Sequence, residues 1–225
     1  MKPIVAIVPA RGGSVELPHK NLRLCAGKPL TDWTLEAAQQ ATSLDAVILS
    51  SDDPEIRALG DKYPKVISRE REAALSTSTT STEAVLASIL DETTAWEIGV
   101  LLQPTSPIRT AQQIDEAVLL LQSAGVDSVV SVVRNHSFLW EIRSGYATPL
   151  YDPLYRPRRQ EMSLFRENGS IYVFTRESWE RCHNRIGGRT VLYAMPPECG
   201  YEVDDETDLF IAEKLLEHRA ALLRH

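Results

Sequence analysis

The chain has 225 residues, with 24 Lys and Arg against 31 Asp and Glu and a formal charge of −7. That balance excludes the broad basic face that nucleic acids and anionic membranes require, so neither is expected as a partner. An anionic small molecule stays admissible, because a pocket responds to local charge.

Hydrophobic residues make up 43% of the chain, enough to bury a core in one large domain. The apolar run over residues 1–10 is too short for a signal peptide and reads as a buried strand over 4–8. A helix is expected over 31–41, with Leu30, Trp33, Thr34, Ala37, Ala38 and Ala41 at helical spacing. A second strand over 46–50 ends in the polar turn Ser51-Asp52-Asp53-Pro54. Short helices follow over 55–62 and 82–91, the second led by a Ser/Thr run read as loop and helix cap. Residues 100–102 form a central strand, 112–124 an amphipathic helix through Ile114, Ala117, Val118 and Leu121, and 128–133 a further strand. From 134 to 166 the periodicity fails among prolines, arginines and aromatics, including Phe138, Trp140, Tyr146, Tyr151 and Tyr155. This stretch is expected to be an irregular or β-ribbon insertion, and the apolar and aromatic content between Phe138 and Tyr155 would be hard to leave exposed. Strand pattern returns over 169–174, and an amphipathic helix over 209–223 closes the chain.

Alternating strands and helices predict an α/β fold, a mostly parallel sheet flanked by helices. Cys25, Cys182 and Cys199 are odd in number and widely spaced, which predicts free thiols in a reducing compartment. With no targeting segment and no apolar stretch of about 20 residues, a cytoplasmic location is expected.

Three motifs carry chemistry. Pro9-Ala10-Arg11-Gly12-Gly13-Ser14 follows the first strand, with Lys20-Asn21 and Lys28-Pro29-Leu30 downstream. Glycines at such a turn let backbone N–H groups approach an anion, and Arg11 can clamp a phosphate. The spacing fits neither a Walker A loop nor G-x-G-x-x-G; the plainer reading is a Gly-rich turn with surface cations. Gln103-Pro104-Thr105-Ser106-Pro107-Ile108-Arg109 follows the central strand, where a parallel sheet meets its ligand. A rigid turn before the next helix is the alternative, and it leaves Gln103 unexplained. In Glu202-Val203-Asp204-Asp205-Glu206-Thr207-Asp208, alternate carboxylates at the end of a short strand place Glu202 and Asp204 on one face, able to meet a divalent cation. Asp205, Glu206 and Asp208 suit the first turn of the closing helix, and an acidic run standing alone is more often such a solvated helix start.

In this order, together with Arg166-Glu167-Asn168-Gly169-Ser170-Ile171-Tyr172, the motifs make the chain resemble the acylneuraminate cytidylyltransferases, or CMP-sialic acid synthetases, over nearly its whole length. The resemblance implies a Rossmann-like domain of nucleotidyltransferase type from residues 1–133 and 167–225, with 134–166 as an inserted dimerisation and sugar-binding region. It implies an enzyme that couples CTP to a nine-carbon 2-keto sugar acid and releases pyrophosphate. Arg11, Ser14 and Lys20 would hold the triphosphate, within a nucleotide site that includes Ala10, Gly12 and Gly13. Asn21, Arg69, Thr80 and Ser81 would meet ribose and cytosine. Gln103, Arg158, Arg159, Gln160 and Asn168 would meet the sugar, and Glu202 and Asp204 would bind Mg²⁺. Arg11, Lys20 and Asp204 are the expected catalytic groups. Val15-Glu16-Leu17 stands where the family usually has Lys-Gly-Ile, Glu202 where Asp is usual, and Thr79 where a small residue is common.

Attack by a sugar-acid hydroxyl on the α-phosphorus brings a carboxylate and a triphosphate together, so neutralising cations and positioning are what the site must supply. No His or Cys is placed by a motif as a nucleophile, and His19 reads as a loop residue, which favours direct transfer. A cytidylyltransferase for the eight-carbon acid KDO is the alternative enzyme. A protein that holds nucleotide without turnover is the alternative from another class. The charge is also segregated: residues 1–28 carry Lys2, Arg11, Lys20, Arg23 and Lys28 against Glu16 alone.

Overall fold

Strands buried on both faces need helices on both sides of a sheet, and the chain supplies them by alternation. A computed structural model of the protein describes residues 3–14, 16–162 and 164–222. Its elements in order are β1 (Ile4–Pro9), the small hairpin β2 (Leu24–Cys25) and β3 (Lys28–Pro29), α1 (Leu30–Gln40), β4 (Ala46–Ser51), α2 (Pro54–Leu59) and β5 (Val66–Glu70). There follow α3 (Thr82–Leu90), β6 (Ile98–Leu102), α4 (Ala111–Ala124), β7 (Ser128–Asn135), β8 (Trp140–Arg143), β9 (Tyr146–Pro149), β10 (Leu164–Thr175), α5 (Arg176–Cys182), β11 (Thr190–Met195) and α6 (Glu206–Leu222). The helix starts follow local chemistry: Asp53 caps α2 with Pro54 behind it, Ser81 caps α3, and Thr110 and Gln113 form a capping box on α4.

Seven strands form one sheet in the order β11-β7-β10-β6-β1-β4-β5. All neighbours run parallel except β10, which is antiparallel to both β6 and β7. Leu35, Ala38, Ile114, Val118, Ala212 and Leu216 bring α1, α4 and α6 onto one face. Leu86, Ile89 and Trp179 bring α3 and α5 onto the other, against Ile7, Leu101 and Phe174. The expected α/β architecture is present, and so is each expected helix and strand with shifted ends, except the short strand expected to end at Glu202 and Asp204; the end of the expected last helix at Leu223 lies outside the described residues. The strands β2, β3, β5 and β11 and the helix α5 are additions to the sequence reading.

Residues 201–203 form no strand, so the expected short strand is absent and the segment is an ordinary loop before α6. Val203 is buried and its N–H reaches the Thr105 carbonyl of the 103–109 loop at 2.7 Å. The stretch expected as an irregular or ribbon insertion contains the hairpin β8–β9. Phe138 and Trp140 pack on Tyr151, with the Arg156 guanidinium 4.0 Å over the Phe138 ring. Ile142, Tyr146 and Tyr155 are about four-fifths exposed there. Its stem is paired, Asn135 with Leu164, so residues 134 and 166 fall inside β7 and β10. All three cysteines are free.

Candidate functional site

Several hollows indent the surface, and two lie at the ends of the central strands. One of about 780 Å³ lies at the end of the sheet where β1 and β6 begin, beside Ile4, Ile98 and Asp127. Two of its carboxylates are already engaged: Asp45 accepts from the Ile4 N–H at 2.8 Å and Asp127 from the Arg189 N–H at 2.7 Å. The other, about 280 Å³, lies where β1 and β6 end and is lined by Arg11, Ser14, Lys20, Asn21, Arg71 and Gln103, with Thr77, Thr80 and Ser81 on the loop before α3. In a parallel sheet this is the end where ligands bind, and three cationic side chains converge there.

The loop after β1 is held from below. The Gly12 N–H donates to Asp52 Oδ1 at 2.9 Å and Ala10, fully buried, donates to the Ser50 carbonyl. Gly12 therefore has no N–H left for a phosphate, and Ala10 shapes the loop without reaching the cleft. Among the described residues the Gly13 and Ser14 N–H groups have no acceptor. The Arg11 guanidinium donates to the Thr77 carbonyl at 2.9 Å, tying this loop to the Ser/Thr loop. Thr77 and Thr80 share a hydroxyl hydrogen bond of 2.7 Å, and the Ser81 hydroxyl accepts from the Ala84 N–H. The departure at Val15 lies outside the described residues.

Asn21 is 7% exposed, and its Nδ2 donates to the Arg11 carbonyl at 2.8 Å. Its Oδ1 has no donor among the described residues. A buried acceptor left without a donor is costly to the fold, and it sits on the wall of a cleft. Lys20 Nζ lies 2.9 Å from Asp204 Oδ1, so the expected phosphate cation and an expected metal ligand meet each other.

Arg71 was not singled out by the sequence, yet it lines the cleft. It is buried, and its guanidinium donates to the Ser50 hydroxyl at 3.2 Å and to the Ser50 carbonyl. Burial lowers its pKa, Asp52 raises it and Arg11 lowers it again; two guanidiniums thus face one hollow, and an anion there relieves both. The neighbouring Arg69, expected to meet the nucleotide, turns instead to Glu92 and the Ile89 carbonyl behind α3. The available signal was positional: Glu70 pairs with Ser51 at the end of the sheet, so Arg71 is the first residue past the strand.

Asn168, expected to meet the sugar, does not line the cleft. It is fully buried, and its Oδ1 accepts from the Ser131 hydroxyl at 2.6 Å while its Nδ2 donates to the Cys199 carbonyl at 3.0 Å. It braces an irregularity in β10 between Glu167 and Tyr172. There Gly169 has φ +59°, and a Cβ on it would stand 1.6 Å from Glu202 Oε1. Arg158, Arg159 and Gln160 are exposed on a turn at the base of the arm, where the Arg159 carbonyl meets His136 Nδ1 at 2.9 Å. They do not line this chain's cleft.

Glu202 also faces the Ser106 hydroxyl at 3.4 Å. Burial raises its carboxyl pKa, and Asp204 raises it further. Asp208 Oδ2 accepts from the Asp204 N–H at 3.1 Å, while Asp205 Oδ1 caps the first turn of α6 through the Thr207 and Asp208 N–H groups. Among the described residues no three His, Cys, Asp or Glu side chains cluster closely enough to hold a metal alone. Two hard carboxylates in mutual repulsion beside a phosphate-sized hollow do suit Mg²⁺, which commonly takes one or two carboxylates and completes its shell from phosphates and water. Glu202 and Asp204 are the residues that would hold that ion.

A family model described as cytidylyltransferase matches residues 5–177. The N-acylneuraminate cytidylyltransferase of Oncorhynchus mykiss is 34% identical over 219 residues, covering 94% of this chain and 50% of that protein. Those of Escherichia coli O18:K1:H7 and Streptococcus agalactiae serotype III are 32% and 34% identical, covering 93% and 92% of this chain and 51% and 52% of theirs. The chain thus spans about half the length of the curated relatives it matches. Among solved structures, a CMP:2-keto-3-deoxy-manno-octonic acid synthetase complexed with CTP superposes with a TM-score of 0.68 at 20% identity, covering 97% of this chain and 100% of that one. A 4-diphosphocytidyl-2C-methyl-D-erythritol synthase from Anaerococcus prevotii gives 0.73 at 14% identity and 96% of each. At these identities the structural likeness bears on the fold.

Proposed function

Because the chain belongs to the cytidylyltransferase family, we propose that it couples CTP to a nine-carbon 2-keto sugar acid, sialic acid or a legionaminic- or pseudaminic-type relative, giving the CMP-sugar and pyrophosphate. The observation that carries the reading is the buried, donorless Oδ1 of Asn21 beside three cationic side chains. A ribose hydroxyl is the donor that acceptor lacks, and a triphosphate is the anion the cations lack. The choice of a nine-carbon acid rests on the similarity to N-acylneuraminate cytidylyltransferases.

In this reading Arg11 and Lys20 take up charge as the bond between the α-phosphorus and the pyrophosphate oxygen breaks. Lys20 leaves Asp204 for phosphate, which frees that carboxylate. Asn21 fixes the ribose, Arg71 adds its charge beside the triphosphate, the Thr77–Ser81 loop borders the base, and Gln103 orients the sugar acid. Mg²⁺ held by Glu202 and Asp204 would polarise the phosphate and lower the pKa of the attacking hydroxyl. Neither His nor Cys lines the cleft among the described residues, in keeping with transfer in a single displacement. The exposed aromatics of the arm support a homodimer, with Arg158, Arg159 and Gln160 reaching a partner's sugar site. A cytoplasmic location belongs to the same reading, and among the described residues no helix is long and apolar enough to cross a membrane.

Pyrophosphate release from CTP and Mg²⁺ across a panel of nine-carbon acids, with KDO alongside, tests this. Turnover with a nine-carbon acid is expected. Turnover with KDO alone selects the eight-carbon alternative. A rise in melting temperature with CTP and no turnover on any acid marks a protein that only binds.

A further inference from the structure

Arg109 is 1% exposed, among the largest side chains fully enclosed by the fold. Among the described residues no carboxylate pairs with it. Burial pushes its pKa down to about 9, which still leaves it charged at neutral pH. An enclosed cation without a counter-ion is a burden on folding, so what it holds is informative.

Its planar fork reaches three separate segments. Nε donates to the Ser170 hydroxyl at 2.9 Å, one terminal nitrogen to the Thr34 hydroxyl on α1 at 2.6 Å, and the other to the Gln103 carbonyl. Gln103 lines the cleft, and Ser170 follows Gly169, on which Glu202 rests. The same loop returns to that strand through the Ser106 hydroxyl, which donates to the Asn168 carbonyl at 2.9 Å. One guanidinium therefore fixes the distance between the loop carrying Gln103 and the irregular turn of β10. The nucleotide wall of Arg11, Asn21 and Arg71 is held by Thr77, Thr31 and Ser50, none of which bonds to the Arg109 guanidinium, although Thr31 shares α1 with Thr34.

We propose that Arg109 is a positioning residue for the sugar-acid half of the reaction, setting Gln103 against the Gly169–Glu202 contact while leaving the nucleotide half untouched. This rests on the reading of Gln103 as a sugar contact. A lysine has the charge but not the fork, so charge alone does not suffice.

The test is a split between substrates. Arg109→Lys and Ser170→Ala are measured for KM toward the sugar acid, KM toward CTP, CTP affinity by calorimetry and melting temperature. Ser170→Ala removes one acceptor and leaves the charge in place, which keeps the test open if Arg109→Lys folds poorly. Expected is a rise of about tenfold or more in the sugar KM, the scale of misplacing a contact by a fraction of an ångström, with CTP affinity within about twofold of wild type. A sugar KM unchanged in both variants, or both KM values rising together as the melting temperature falls, overturns the proposal. Wild-type protein that binds CTP but turns over no acid instead overturns the substrate reading, and the proposal with it.

Discussion

Replacing Gly169 with Ala separates two effects that usually arrive together. The first is backbone strain, since φ is +59° and a side chain in the left-handed region costs about 1–2 kcal/mol. For a chain of this size that is a fall of roughly 2–8 °C in melting temperature. The second is the contact: the new methyl would stand 1.6 Å from Glu202 Oε1, 2.7 Å from Glu202 Cδ and 3.0 Å from Gln103 Oε1. Ordinary contact begins near 3.4 Å, so the carboxylate has to retreat by about 1.8 Å. A displacement of about 1 Å at a reacting centre costs on the order of a hundredfold in rate. Gly125→Ala supplies the matched control, because Gly125 has φ +57° and a Cβ there meets nothing within 4 Å. Both variants are expected to lose similar thermal stability, and only Gly169→Ala to lose pyrophosphate release by about a hundredfold. Equal turnover in the two variants would refute the assignment of Glu202 to the site.

Lys20→Ala is expected to cut turnover by about 10²–10³-fold while the melting temperature barely moves, since its partner Asp204 is 60% exposed and such pairs contribute little; near-normal turnover would remove Lys20 from the mechanism. Arg71→Met should weaken CTP binding by calorimetry about tenfold or more, and unchanged affinity would return Arg71 to a purely structural role. Asp115→Ala should destabilise the fold by about 2–3 kcal/mol, because its carboxylate accepts from Thr42 and Ser43 backbone and hydroxyl groups at 2.6–3.0 Å. Burial works to raise that carboxyl pKa, but those hydrogen bonds outweigh it and hold it below the ordinary 3.8. The contribution is therefore present above about pH 4 and lost as pH falls through the depressed value, so denaturant midpoints of wild type and variant should converge in acid.

The order of elements was legible because β1, β4 and β6 are apolar on both faces and the helices between them keep one clean stripe. β5 escaped notice because it is an edge strand with Val66 and Ile67 as its only apolar residues and Ile67 exposed. That omission explains the confusion of Arg69 with Arg71, since without the strand end nothing distinguishes the two. Asn168 shows a different limit. A short polar residue beside glycine reads as a ligand contact, and only the closed hydrogen bonds to Ser131 and Cys199 reveal a brace. The pairing of Lys20 with Asp204 joins residues 184 positions apart, a relation no local pattern encodes. Arg11, Lys20, Asn21 and Gln103 were legible because each directly follows a strand that points its end at the cleft or lies on the loop that does.

The antiparallel strand in the middle of the sheet also has a temporal meaning. β1, β4, β5 and β6 are neighbours of one another and are complete once residue 102 has been made. β7 has no such partner: its neighbours, β10 and β11, are both encoded after it. A nascent chain that has reached only residue 163 therefore holds a finished four-stranded sheet and, beside it, a buried-type strand with nothing to pair with. Such a strand is an aggregation hazard while it waits. Truncations ending before β10 should accordingly be insoluble, and those retaining it through Thr175 should close the sheet on β7 while leaving its outer edge open.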